Sequence, residues 1–369
     1  MYNIQSHVEE IGTQTFSDRS FDTLDSLVLS HLSYIPMEGF LEDEKTPTLQ
    51  TLGSFAAQNH HGGFVSAYQR KCYDLLQLCA ASKRYGEIDI IRYHNNFDPD
   101  HETQFSATTF ALPGDVRYIA FRGTDVSLVG WKEDFNMSFM TVPAQLQAVN
   151  YTHAAAGTFG GDLYLGGHSK GGNLALYAAC HVNDGVRKRI GQVFSFDGPG
   201  VDKPTLDSPQ YQAVRDRVES WVPQSSVVGM LLCYHPDYLV VRSEAIGLAQ
   251  HDAFTWRIQD GAFQQLQELN LVTRRSNEAF NHWLDQQSQE ERRFMVDVIF
   301  KIVSGIGIDN VSPLIEDFKG NTLKMFSAFN RLELETRVRA MRLLAGLLST
   351  EAGFAVRQLL ANVFRTQTS

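Results

Sequence analysis

Residues Leu163 to Asn173 read Leu-Tyr-Leu-Gly-Gly-His-Ser-Lys-Gly-Gly-Asn, and no other segment narrows the fold so far. A short apolar run, suited to a buried strand, leads into Gly167-His168-Ser169-Lys170-Gly171, and a helical stretch from Asn173 to Cys180 follows. This is G-x-S-x-G between a strand and a helix, the context in which the pattern raises a serine hydroxyl above a sheet edge. So sharp a bend needs nearly side-chain-free positions two before and two after the serine, which Gly167 and Gly171 supply. The Lys170 amide, at the helix N-terminus, can then face a developing oxyanion. The spacings of dinucleotide-binding and Walker loops are both absent.

The alternation around this segment predicts a mainly parallel sheet covered by helices. Strand candidates are Ile88–Tyr93, Phe105–Leu112, Tyr118–Phe121, Val193–Phe196, Val218–Val222 and Tyr238–Arg242. Helical spacing marks Phe21–Tyr34, Gly63–Ser82 and Ala144–Gly157. Residues 1–20 are polar and read as a flexible tail, and 21–262 as the alpha/beta domain. From Phe263 onward amphipathic patterns such as Ala279–Gln287, Glu290–Ile302 and Ala340–Leu348 replace the strands, so 263–369 reads as a C-terminal helical extension. Its Trp283, Phe294, Phe300 and Phe326 are expected to serve helix packing.

A formal net charge of −10 over 369 residues disfavours nucleic acid as a partner. No apolar stretch is long enough to span a bilayer, and the N-terminus carries no secretory pattern. Cys72, Cys79, Cys180 and Cys233 lie far apart without a C-x-x-C pair, which reads as buried thiols in a reducing, cytoplasmic setting with no metal site.

An activated serine needs a base and a group orienting that base. Four histidines follow Ser169. His181 lies beyond the far end of the nucleophile helix, His282 inside the extension, and His235 at a strand start. His251, in the loop after the Tyr238–Arg242 strand, falls where such sheets build their sites. For the acid, Asp197 ends the strand after the nucleophile helix, ahead of Gly198-Pro199-Gly200; Asp237 and Asp252 are the alternatives. Upstream, Phe121-Arg122-Gly123-Thr124-Asp125 sets a glycine turn at a strand end, able to supply a second oxyanion donor from Thr124. Val126–Trp131 beyond it reads equally as a mobile flap or a buried loop.

Phe121-Arg122-Gly123-Thr124, with Trp131, Asp134 and Gly167-His168-Ser169-Lys170-Gly171-Gly172, resembles the class 3 (fungal-type) lipases. The chain is more similar still to the bacterial Mbeg-like alpha/beta hydrolases, a group of unknown function. That similarity runs over Gly123–Asp134, Gly167–Asn173, Asp197–Gly200 and Gln250–Asp252. The resemblance implies an alpha/beta-hydrolase fold, Ser169 as nucleophile, His251 as base, Thr124 and Lys170 as oxyanion donors, and Asp134 bracing the Thr124 turn. It also implies a small acyl ester or lipid substrate and no cofactor. Two departures stand out. Lys170 replaces an apolar residue, making the serine's surroundings more polar. The lipase acid loop, Asp-x-Val-Pro-like, is here Glu219-Ser220-Trp221-Val222-Pro223-Gln224 without an aspartate, which returns the acid role to Asp197. The expectation is therefore a serine ester hydrolase. A catalytically silent binding module, or a thioesterase or amidase using the same residues, are the alternatives.

Overall fold

The structure, a computed structural model, describes residues 2–59, 66–124, 127–137, 140–232, 234–306 and 318–350. The chain opens with helices α1 (Ile4–Ile11) and α2 (Thr23–Leu32), a single helical turn at Phe40–Asp43, and helices α3 (Leu49–Asn59) and α4 (Ala67–Ala81). Strands β1 (Asp89–Asp98), β2 (Thr103–Leu112) and β3 (Val116–Phe121) follow, then α5 (Leu128–Asn136) and α6 (Pro143–Thr158). The nucleophile segment is β4 (Asp162–His168) and α7 (Lys170–His181). Beyond it come β5 (Ile190–Phe196), β6 (Val218–Pro223), β7 (Leu239–Val241), β8 (Ile258–Gln259), β9 (Ala262–Phe263) and β10 (Gln265–Leu266). Helices α8 (Leu271–Asp285), α9 (Gln289–Ser304), α10 (Phe318–Asn330) and α11 (Leu334–Leu348) complete the described chain. Two compact units result: Met1–Thr124 with Pro143–Leu269, and Asp125–Val142 with Asn270–Ser369.

In the first unit an eight-stranded sheet runs in the order β1-β2-β3-β4-β5-β6-β7-β10. Strands β3 to β7 are parallel, while β1, β2 and β10 pair antiparallel at the edges. Parallel strands need both faces covered. On one face Ser26 and Ser30 of α2 hydrogen-bond the Tyr118 hydroxyl of β3, at 2.7 and 2.9 Å. Elsewhere Tyr151 of α6 meets Thr109 of β2 at 2.8 Å. Mostly parallel strands with helices packed against them make this an alpha/beta-hydrolase fold.

The first residues differ from the tail expected of them. Asn3 caps α1 by accepting from the Gln5 and Ser6 amides, and Ile4, Val8 and Ile11, spaced along one face, are buried in the core. Polar composition hid a one-sided helix. Helix α3, also unread in the sequence, buries only Leu49, Leu52 and Gly53. Helix α4 starts at Ala67, capped by Ser66; residues 63–65 of the expected helix lie outside the described residues. Strand pairing continues past Phe263, because β10 adds an edge strand beside β7 through only two residue pairs, too brief for a periodicity signal.

The stretch read as flap or loop is helical from Leu128, capped by Ser127, and carries Lys132, Glu133 and Asp134; residues 125 and 126 lie outside the described residues. Within the second unit this helix meets α9 through a Phe135–Phe300 ring contact and a 3.1 Å Lys132–Asp297 ion pair. Trp283 and Phe300 are buried, and Phe294 lies under the Arg339 guanidinium. Phe326 is 65% exposed, contrary to the packing role expected of it. Its helix turns that position outward, which a single aromatic in an amphipathic pattern does not reveal. No helix among the described residues is long and apolar enough to cross a membrane. Cys72, Cys79 and Cys180 are buried free thiols, and Cys233 lies outside the described residues.

Candidate active site

The elbow after β4 is built by close approach. A Cβ on Gly167 would stand 2.6 Å from the Phe121 carbonyl oxygen, and one on Gly171 would collide with that same oxygen. A Cβ on Gly123 would lie 2.6 Å from the His168 carbonyl oxygen. The end of β3 and the elbow therefore touch backbone to backbone, which only glycine permits. Ser169 occupies φ 59°, ψ −131°, a strained conformation for a residue with a side chain. It stands at the N-cap of α7, and the Lys170 amide opens that helix, where first-turn N–H groups point outward along the axis.

Asp197 is a second residue at positive φ, 49°, directly after β5. Its carboxylate is buried and fully engaged. Oδ1 accepts from Ser226 Oγ at 2.5 Å and from the Gly229 amide at 3.1 Å. Oδ2 stands 2.6 Å from His251 Nδ1. His251 ends a 3-10 turn, Gly247–His251, in the loop after β7. Asn173 of α7 holds the turn behind Asp197, donating to the Gly200 carbonyl at 2.6 Å. An imidazole whose Nδ1 is bound to a buried carboxylate presents Nε2 as its reactive nitrogen.

Ser169 shares this edge through its neighbours. Its amide donates to the Phe196 carbonyl at 2.9 Å, one residue before Asp197. His168, one residue before Ser169, places its Nε2 2.7 Å from the His251 carbonyl, with the two rings 4.7 Å apart. No hydrogen bond joins Ser169 Oγ to His251 among the described residues; apo geometries of this kind are commonly loose.

The remaining candidates sort plainly. Asp237 is on the surface, bound to Arg215 at 2.7 Å, which holds its carboxyl below the usual range. Asp252 pairs with Lys71 and accepts from the Phe254 amide at 3.0 Å. Glu219, in the stretch comparable to the lipase acid loop, accepts from Thr23 Oγ1 and Trp221 Nε1. Thr124 is half-buried directly after the Gly123 turn. Lys170 is buried, its ammonium donating to the Gln104 carbonyl of β2 at 2.9 Å. Asp134 belongs to α5 of the second unit. His235 is buried against the Tyr211 hydroxyl, and His181 ends α7 stacked on Tyr177. Ser226 and Gly229, which secure Asp197, carry no spacing signal in the sequence. The only signal of His168 in the sequence is its place inside the serine motif.

The fold and this strained serine elbow define a member of the alpha/beta-hydrolase class. The Mbeg1-like family profile matches residues 79–301, more than half of the sequence, and the chain belongs to that family. Among solved structures it is similar to M37 lipase, at 16% identity over 57% of this chain and 70% of that one, with a TM-score of 0.34. It is also similar to a triacylglycerol lipase whose catalytic centre is described as a serine protease triad. There the identity is 15%, over 59% and 76% of the two chains, again with a TM-score of 0.34. No curated protein matches the sequence.

Proposed function

We propose that this protein is a serine hydrolase that cleaves an acyl ester through an acyl-enzyme on Ser169. The observation carrying the proposal is the 2.6 Å contact between His251 Nδ1 and Asp197 Oδ2, on the same sheet edge as the Ser169 elbow. Ser169 Oγ attacks the ester carbonyl while His251 Nε2 takes its proton, and the same nitrogen returns a proton to the departing alcohol. Asp197 keeps the hydrogen on Nδ1 and stabilises the imidazolium. The amides of Thr124 and Lys170 receive the oxyanion, each worth about 10²–10³ in rate. Water then repeats the sequence in reverse to release the acid. Ile246 and Leu248, both strongly exposed, stand on the loop carrying His251, which suits an apolar acyl group.

A fluorophosphonate probe tests the proposal. Wild type should be labelled and Ser169→Ala spared, and nitrophenyl esters of graded chain length should be turned over by wild type but not by His251→Ala. Wild-type protein that is folded, unlabelled and inactive on every ester would overturn it.

A further inference from the structure

Three imidazoles stand in a row at this edge. His31 of α2 lies 5.4 Å from His168, which lies 4.7 Å from His251, ring centre to ring centre. The middle one has no part in the reaction above. His168 is 3% exposed, and both of its nitrogens are engaged. Nε2 is 2.7 Å from the His251 carbonyl oxygen; Nδ1 is 3.1 Å from the Tyr68 hydroxyl and 3.3 Å from that of Tyr34. A carbonyl only accepts, so the hydrogen sits on Nε2. Burial first, then His251 and His31 beside it, pushes the pKa of His168 well below the usual histidine value. The ring is therefore neutral and Nδ1 accepts from a tyrosine, which fixes the tautomer from both sides.

We infer that His168 is a positioning residue, whose Nε2–H tethers the His251 backbone and so sets where the reactive imidazole arrives beside Ser169. The inference rests on the hydrolase reading and deepens it. Residues 168 and 169 then act as one unit, the first holding the base and the second carrying the nucleophile. Helix α4 contributes twice, through Tyr68 on His168 and through Lys71, which pairs with Asp252 directly after His251. Phe254 fills the space between, meeting His31 at 4.7 Å and Tyr68 at 5.8 Å, and its carbonyl accepts from Asn3 at 3.0 Å. A histidine that merely filled the core would affect stability alone; a tether affects where His251 sits.

The test uses the full chain. His168→Phe keeps a ring but no donor, and should lower kcat and the fluorophosphonate labelling rate about a hundredfold at unchanged KM, the scale of a small misplacement of a catalytic group. His168→Gln, whose side-chain amide can occupy the Nε2 position, should restore most of that rate. A His168→Phe protein that labels as fast as wild type overturns the inference. The proton NMR signal of His251 Nδ1–H gives a second readout that needs no activity. It should be lost in His168→Phe and kept in His168→Gln, and its persistence in His168→Phe overturns the tether even if wild type proves unreactive towards every probe. Should His168→Phe fail to fold, the double variant Tyr34→Phe with Tyr68→Phe keeps both rings and removes both hydroxyls from Nδ1. Weakening of the same signal in that variant supports the inference, and an unchanged signal overturns it.

Discussion

Asp197 Oδ2 stands 2.6 Å from His251 Nδ1, across 54 residues of sequence and between the loops that follow β5 and β7. The contact is supported from behind, because Oδ1 of the same carboxylate is held by Ser226 and Gly229. Asp197→Asn should therefore keep the fold but disturb the histidine tautomer, lowering kcat by about 10⁴ in the hydrolase we propose. Ser226→Ala should cost far less, since Gly229 still holds Oδ1. Initial rates on a short-chain ester, with circular dichroism to confirm folding, distinguish the two. Equal losses in both variants would mean that Ser226 has a part of its own in the chemistry.

The elbow's dependence on glycine gives a second prediction. On helix propensity alone, glycine to alanine stabilises a helix interior by up to about 1 kcal/mol. Gly157 of α6 has open space where a Cβ would go, so Gly157→Ala should show a gain of that kind. Gly171 of α7 faces the Phe121 carbonyl, a backbone atom that cannot turn aside. Gly171→Ala should lose about 1–3 kcal/mol by overpacking and slow serine labelling as well. Urea denaturation of the two variants should show shifts of opposite sign.

These two sites also mark what was legible in the sequence. Gly167, Ser169 and Gly171 announced the elbow because a strained turn admits few residue types, and the strands beside it carried continuous apolar runs. His251 was reachable by elimination, since the parallel sheet leaves one edge for chemistry. Asp197 was separable from Asp237 and Asp252 only by partners that arrive from elsewhere: Ser226 from the loop after β6, Arg215 from the turn before β6, and Lys71 from helix α4. Long-range partners leave no local pattern. The same holds for α1, where three apolar residues in a polar segment were enough to bury a helix, and for β10, paired through two residues.

Beneath the sheet's helical cover, Arg84 and Asp25 form a fully buried ion pair, with Nη2 to Oδ2 at 2.6 Å and Nε to Oδ1 at 2.7 Å. Tyr85 adds a 2.6 Å bond to the same carboxylate, and the remaining guanidinium hydrogens reach the carbonyls of Thr15, Arg19 and Ser20. Arg84 thereby closes the segment between α1 and α2. Arg84→Met strands a buried carboxylate and should cost about 3–5 kcal/mol. Removing both charges, as in Arg84→Met with Asp25→Leu, should cost less than the single change, despite being the larger substitution. A double-mutant cycle by urea denaturation checks this; a double variant weaker than Arg84→Met would show that the carbonyl bonds outweigh the stranded charge.

Acid sensitivity follows from the buried imidazoles. Burial lowers the pKa of His31 to about 4, against a backbone bond to Leu27 and the charge of Asp252, which both act to raise it. His168 and His7 are shifted in the same direction, chiefly by burial. In the unfolded chain each titrates near the ordinary histidine value of about 6.5. Between that pH and about 4 the unfolded state takes up a proton that His31 refuses in the native state, so stability falls as pH falls. Above the window the contribution is constant, and below it the loss levels off. At about 1.4 kcal/mol per pH unit, His31 alone accounts for a loss of about 3 kcal/mol across the window. The Tm of wild type should therefore drop steeply from pH 6.5 to 4, and that of His31→Phe less steeply, by one proton's contribution to the slope. Following the His31 ring by NMR gives the direct check, with a native midpoint close to 4 expected. A midpoint near 6.5 in the folded protein would mean that the ring is hydrated and that the acid loss arises elsewhere.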